Sequence, residues 1–332
     1  MITTGNTHKP DQHIIVAADI GYGYTKATSI IDGETLTVAF PSAYAQVARQ
    51  LHDGSKRKRI HTWDNDWYFG KDALIYSKSP ITSRDRNRPQ EMIEILFLGL
   101  LSELGIYHGE IELHTALPVE WLGDADTLRG LLTGRHIGQR LDQNDKRIDV
   151  TVGRPLGNER ERSGVFFYPQ PLASFLSRAA HDDTLWEDWS TVLIVDVGTG
   201  TFNECLIVAG EWIDERATSK PHGLGVVLEA ALQDQEAQTG RRDLLHIARG
   251  KLWARNRELL DLAQPHIDAL AEDVIQAAAD IAENISLQMV ILTGGGAHFI
   301  QSHVRARFGD IVSVSQYPEL DNVKGLLDAA TE

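Results

Sequence analysis

Two aspartates, Asp19 and Asp196, each stand at the end of an apolar run and just before a glycine turn. Ile14 to Ala18 leads to Asp19, and the turn from Ile20 to Tyr24 carries Gly21 and Gly23; Val192 to Val195 leads to Asp196, and Gly198-Thr199-Gly200 follows. A carboxylate so placed can meet a hard metal ion carried by a phosphate, and a turn without β-carbons lets backbone N–H groups come close to an anion. Lys26, just past the first turn, adds a positive charge, whereas Asn203 occupies the equivalent offset in the second. Taken singly, either stretch also reads as an ordinary tight turn. The pair says more, because Gly33-Glu34 stands at the same offset from Asp19 as Gly210-Glu211 does from Asp196. Matching internal spacing suggests a duplicated domain, with two glycine turns facing each other across a cleft and clamping a polyphosphate.

Three further stretches invite a chemical reading. A strand from Met289 to Leu292 runs into Thr293-Gly294-Gly295-Gly296, with a helix starting near Ala297. Such a turn lets something flat or anionic lie against the backbone, or simply packs tightly. His222-Gly223-Leu224-Gly225 precedes another helix and is expected to offer free N–H groups. Lys56 to Arg59 is the densest basic run, with Trp63, Trp67 and Tyr68 nearby; it reads as a solvated hairpin loop in preference to a nucleic-acid contact. Trp186 and Trp189 are expected to pack against the domain.

The positioning elements follow from hydrophobic period and breakers. Strands are expected over the apolar runs of both hairpins, 35–40, the stretch ending at Pro118, 147–153 and 163–169, with a turn at Gly157-Asn158. Helices are expected from Pro89 to Leu104, from Asp124 to about Gly134, after Pro169 with Gln170 at the junction, from Pro265 to about Asn284, and at the C-terminus. The chain has 332 residues, 42% hydrophobic and 24% charged, as in a globular protein of two domains. No apolar stretch is long enough to span a bilayer, and residues 1–13 read as a loose tail without the regions of a signal peptide. The single cysteine, Cys205, allows no intrachain disulfide and reads as a small core residue in a reducing cytosol. The net charge of −15 argues against a surface that binds nucleic acid directly, and makes self-association sensitive to salt.

With these pieces placed, the chain resembles the superfamily of actin, sugar-kinase and heat-shock-chaperone ATPases. DIGYGYTK at 19–26 resembles its first phosphate motif, DVGTGT at 196–201 the second, and LTGGGAHF at 292–299 the adenosine motif. TALPVEW at 115–121 and YPQPLASF at 168–175 resemble the connecting segments, and all five stand in the family's order. Within the superfamily the chain is most similar to plasmid-segregation actins of the ParM/StbA type, through its length, a W-Y-F-G insert, TGGGAHFI, and the closing Y-x-x-x-D-N-V-x-G-L-L at 317–327. It departs from them at Gln170, where some carry glutamate, and at Phe202-Asn203, where a Thr-Leu-Asp ending is common.

The resemblance implies an α/β fold of two duplicated, ribonuclease-H-like actin domains flanking a nucleotide cleft. Residues 14–170 would form the first domain, with an insert at about 40–85. Residues 171–332 would form the second, with an insert at about 216–263 and a closing helix that returns toward the first. Gly21, Tyr22, Gly23, Tyr24, Lys26, Gly198, Thr199, Gly200, Thr201, Gly223 and Gly225 would hold ATP or ADP by its phosphates, with GTP as the alternative. Gly294, Gly295, Gly296, Ala297 and Phe299 would border ribose and base. Asp19 and Asp196 would hold Mg²⁺ through water, Gln170 would orient the attacking water, and Asp196 would accept its proton. The implied activity is a slow cytoplasmic triphosphatase that assembles with itself into filaments. These would segregate plasmid DNA through a DNA-binding adaptor, with no direct nucleic-acid or membrane contact. A small-metabolite kinase or another bacterial actin homologue is the alternative; a chaperone ATPase would need a further substrate domain, and a membrane-linked homologue a basic amphipathic helix.

Overall fold

The computed structural model describes residues 13–47, 56–82, 89–153, 164–239 and 257–331. The expected N-terminal tail, the Gly157-Asn158 turn and most of the charged stretch 241–263 lie outside the described residues. The strands are β1 (His13–Ile20), β2 (Tyr24–Ile31), β3 (Glu34–Pro41), β4 (Tyr44–Gln46), β5 (Arg59–Thr62), β6 (Asn65–Phe69), β7 (His108–Leu117), β8 (Gly134–Arg140), β9 (Lys146–Val152), β10 (Val165–Pro169), β11 (Thr191–Val197), β12 (Phe202–Val208), β13 (Glu211–Lys220), β14 (Met289–Thr293) and β15 (Val312–Val314). The helices are α1 (Lys71–Tyr76), α2 (Gln90–Leu104), α3 (Ala125–Leu132), α4 (Gln170–Ala179), α5 (Leu224–Thr239), α6 (Arg257–Ile281), α7 (Ala297–Phe308) and α8 (Asp321–Thr331). None of the described helices is long and apolar enough to cross a membrane.

The chain forms two compact units. One takes in β1, residues 25–115 and 124–166; the other takes in residues 21–24, 116–123 and those from 167 on. The duplication legible in the hairpins extends to whole sheets. In the second unit the strand order is β13-β12-β11-β14-β15, and the sheet of the first begins β3-β2-β1-β7-β9. In each, an antiparallel hairpin is followed by a strand that pairs parallel with the hairpin's first strand, as β7 does with β1 and β14 with β11. The tight turns also correspond: Asp32-Gly33 and Ala209-Gly210 both have positive φ at both positions, the backbone a two-residue hairpin loop of this twist requires.

The first sheet continues past β9 through β8, β5, β6 and β4. Helix α2 is buried on nearly every face, with Met92, Ile95, Leu96, Phe97, Leu98, Leu100 and Leu101 in the core. The basic run differs from the expected solvated loop. Lys58 pairs with Glu103, Arg59 is buried near Asp66, and Arg57 lies over the Tyr76 ring at 4.1 Å. Of the three aromatic residues beside these cations, Trp67 and Tyr68 are buried in the hairpin, whereas Trp63 is exposed. Neither element β8 nor α1 stands out by period in the sequence.

In the second unit, side-chain alternation sorts the sheet into two faces. Leu193, Val195, Val197, Phe202 and Leu206 join α5, α6 and α7 in one cluster. Val192, Ile194, Cys205 and Ile207 join Phe175 and Ala179 of α4 in another. Cys205 is fully buried and burial pushes its thiol well up, as a small core residue. Pro265 does not open a helix but lies inside α6. A helix-interior proline costs about 3 kcal/mol; here Leu260, Leu262 and Ala263 before it and Ile267 and Leu270 after it all pack on the same core, which favours continuing the helix. Trp186 packs edge-on against Phe175 at 5.3 Å, but Trp189 is 62% exposed, contrary to expectation.

Candidate functional site

Alternation along the two strands of the second hairpin decides which side chains meet. Asp196 shares the face of Val192 and Ile194, and Asn203 the face of Cys205, so both project toward α4. Helix α4 starts at Gln170, directly after Pro169. There Asn203 Nδ2 donates to Gln170 Oε1 at 3.1 Å and lies 3.3 Å from Thr201 Oγ1. Asn203 is fully buried. In the sequence it stands out as a missing charge and as a departure from the family's ending; its contact with Gln170 depends on strand and helix coming together.

The first hairpin has the same register. Asp19 and Lys26 are cross-strand partners, as Asp196 and Asn203 are. Lys26 Nζ lies 3.3 Å from Asp19 Oδ2, and Asp19 is buried. The turn between them is closed by a bond from Gly21 N–H to the Tyr24 carbonyl at 3.0 Å.

The two glycine turns do not merely face each other; they interlock within the second unit. A β-carbon on Gly23 would stand 2.3 Å from Thr199 Oγ1, and one on Gly200 would stand 2.5 Å from the Tyr22 ring. Tyr22 also meets Trp121 edge-on at 5.1 Å. Glycine at 23 and 200 is therefore required by contact between turns, beyond any ligand.

The helix α5 N-terminus differs from expectation. Its N–H groups are not free: Gly223 donates to the Gly200 carbonyl (3.2 Å), Leu224 to that of Gly198 (2.9 Å) and Gly225 to that of Thr199 (2.7 Å). This has a consequence for the turn. A trans peptide carries its C=O and the next N–H on opposite sides. With the carbonyls of residues 198–200 drawn to α5, the N–H groups of Thr199, Gly200 and Thr201 point away from it, as an anion-binding nest requires. Gly223 and Gly225 thus shape the turn from behind.

The triple glycine is divided in its roles. Gly294 has φ +82°, and a β-carbon there would stand 2.3 Å from Asp196 Oδ1; on Gly296 it would stand 2.4 Å from Val197 Cγ1. The Gly294 and Gly296 N–H groups donate to the carbonyls of Pro318 and Val197. Gly295 alone is exposed, with open space where a side chain would go. Ala297 is buried and Phe299 half-buried at the start of α7.

Beneath Asp196 lies a polar network that sequence reading missed. Asn322 Nδ2 donates to Asp196 Oδ2 at 3.2 Å, and Ser174 Oγ donates to Asn322 Oδ1. Thr293 Oγ1 lies 3.0 Å from Asp321 Oδ2, which also accepts from Ser315. Burial raises the Asp321 pKa while the Ser315 and Thr293 bonds lower it, the net being upward. On the opposite face of β12, Glu204 is fully buried, with neither carboxylate oxygen hydrogen-bonded among the described residues, and burial pushes its pKa well up.

Residues 17–155 match the family model for the N-terminal domain of actin-like proteins. A ParM filament structure from Clostridium botulinum superposes with a TM-score of 0.76 at 16% identity, covering 96% of this chain and 98% of that one. An archaeal actin homologue in complex with ADP gives 0.75 at 16%, covering 96% and 99%. The pCBH ParM non-polymerisable quadruple mutant gives 0.76 at 17%, again covering 96% and 99%. The chain has the actin-like fold. No curated protein sequence matches it. Within this actin-like chain, the DIGYGYTK and DVGTGT stretches are the turns of the paired hairpins, and LTGGGAHF is the β14–α7 junction.

Proposed function

We propose that the chain is an actin-like nucleoside triphosphatase that assembles into filaments, with residues 14–170 and 171–332 as its two repeats. The observation that carries the reading is the second turn, whose carbonyls are tied back to α5 so that three N–H groups point the other way. The ADP complex of the archaeal homologue and the ParM filament, of the same fold, support it. Thr199 to Thr201 and Gly21 to Tyr24 bind phosphate oxygens, Lys26 leaves Asp19 to pair with them, and Gly295 borders the ribose and base.

The residues fit Mg²⁺ held through water. Asp19 and Asp196 are buried carboxylates at strand ends, while among the described residues no three His, Cys, Asp or Glu side chains gather to hold a metal themselves. Mg²⁺ keeps several waters and is bound mainly through one or two carboxylates and the substrate phosphates. When bound, it neutralises charge developing on the phosphoryl group. The protein's part is positioning. Asn203 fixes the Gln170 amide, Gln170 orients the attacking water, and Asp196 accepts its proton. Glutamine is a poor base, so intrinsic turnover is slow, which suits a timer: the triphosphate form polymerises and hydrolysis loosens the filament. The finer role is plasmid DNA segregation in the cytoplasm through a DNA-binding adaptor.

Light scattering and pelleting with Mg-ATP, Mg-GTP and non-hydrolysable analogues test the reading. Assembly that needs triphosphate supports it; no nucleotide-dependent assembly at any salt concentration overturns the filament function.

A further inference from the structure

We infer that Asn322, on the C-terminal helix α8, is a positioning residue for Asp196. The inference rests on the nucleotide-binding reading above. Asn322 is 6% exposed and lies 126 residues from Asp196 in sequence, yet its Nδ2 donates to Asp196 Oδ2 at 3.2 Å. Its amide orientation is fixed from both sides. A carboxylate can only accept, so the amide nitrogen must face it, and the amide oxygen then accepts from Ser174 Oγ. Ser174 is itself buried on α4, one turn from Gln170, and also lies 3.3 Å from Thr293 Oγ1 at the end of β14. On the other side of the carboxylate, Gly294 comes so close that no side chain fits between them. Asp196 is thus held between the β14–α7 junction and α8.

The helix that delivers Asn322 is locked to α4. A β-carbon on Gly325 would stand 1.8 Å from the Ala173 carbonyl and 2.5 Å from Ser177 N, so only glycine permits this approach. One buried amide therefore links three elements, α8, α4 and the end of β11. Through it the C-terminal helix sets the carboxylate, and through Ser174 it touches the helix that begins with Gln170.

The test uses Asn322→Leu, which keeps the volume and removes both polar contacts. Nucleotide affinity is measured with a fluorescent ATP analogue, once in Mg²⁺ and once in EDTA, beside single-turnover hydrolysis. Groups that orient a metal's ligands typically matter by about 10–100-fold in metal affinity or activity. The expected result is at least a tenfold loss of the Mg²⁺-dependent gain in affinity and a similar fall in rate, with affinity in EDTA unchanged. An unchanged Mg²⁺-to-EDTA ratio in a variant that binds nucleotide would overturn the inference and leave the nucleotide reading standing. A wild-type chain that binds no nucleotide overturns both. Should Asn322→Leu fail to fold, Ser174→Ala removes the anchor of the amide, together with the contact to Thr293, and leaves the Asn322–Asp196 bond itself in place; a smaller loss in the same ratio supports the inference, and no loss overturns it.

Discussion

Lys26 and Gln170 are the residues whose replacement separates binding from chemistry. Hydrogen bonds to charged groups contribute about 1.5–3 kcal/mol. Lys26→Ala is therefore expected to weaken triphosphate binding by about 10–100-fold in isothermal titration, and unchanged affinity would remove the lysine from the phosphate site. Gln170→Ala should leave affinity nearly intact and slow single-turnover hydrolysis by about 100-fold, the scale on which misplacing a reacting group acts; hydrolysis at the normal rate would clear Gln170 of that role. Glu204 makes a prediction of the opposite kind, about stability. Burial raises its pKa well above the usual carboxylate value. Below the unfolded pKa both states hold the proton and no penalty arises. As pH rises past it, the unfolded state ionises while the folded state stays protonated, so stability falls with pH until the folded pKa is reached. Glu204→Gln should accordingly melt higher than wild type at pH 8, with the gap closing toward pH 5. Each kcal/mol so relieved corresponds to about 2–4 °C in a domain of this size. A difference in melting temperature that does not change with pH would show that the carboxyl is not held neutral.

The interlocked turns act as one element, although their glycines lie far apart in sequence. Gly200→Ala drives a methyl group into the Tyr22 ring. It is expected to push the turns apart and weaken nucleotide binding by about tenfold, within the usual cost of overpacking. Adding Tyr22→Ala should recover part of that loss, because the double variant removes the clash. Additive losses measured by the same fluorescent-nucleotide titration would show the two positions to be uncoupled.

At the scale of the whole molecule, the net charge of −15 sets the condition for assembly. Copies of so acidic a chain repel one another, and the Debye length falls from about 30 Å at 0.01 M salt to about 10 Å at 0.1 M. The critical concentration for nucleotide-dependent assembly should therefore fall as monovalent salt rises through this range, as read by pelleting. A critical concentration that climbs with salt would mean that attractive ion pairs, not screened repulsion, govern the filament contact.

Much of this protein follows from local sequence. The two strand–aspartate–glycine hairpins, their common offset and the Gln170 junction are set by short-range rules, namely apolar period, the freedom of glycine and the breaking power of proline. These sufficed for the duplication; the actin-like resemblance rests on the five motifs and their order. What the tertiary structure decided is where polar groups go once elements meet. The α5 N–H groups looked available because nothing nearby in sequence could accept them, and the carbonyls that do accept them belong to the turn at residues 198–200. Gly294 and Gly296 looked like a ligand's bed, and close packing against β11 takes most of that space. The basic run looked solvated, and its partners Glu103 and Asp66 come from other elements of the same unit. Asn322 enters the sequence reading only as one letter of the closing stretch at 317–327, with no chemical role attached. A buried amide acquires a role only from the carboxylate and hydroxyl that the fold brings to either end of it, and no period or spacing in the chain encodes that meeting.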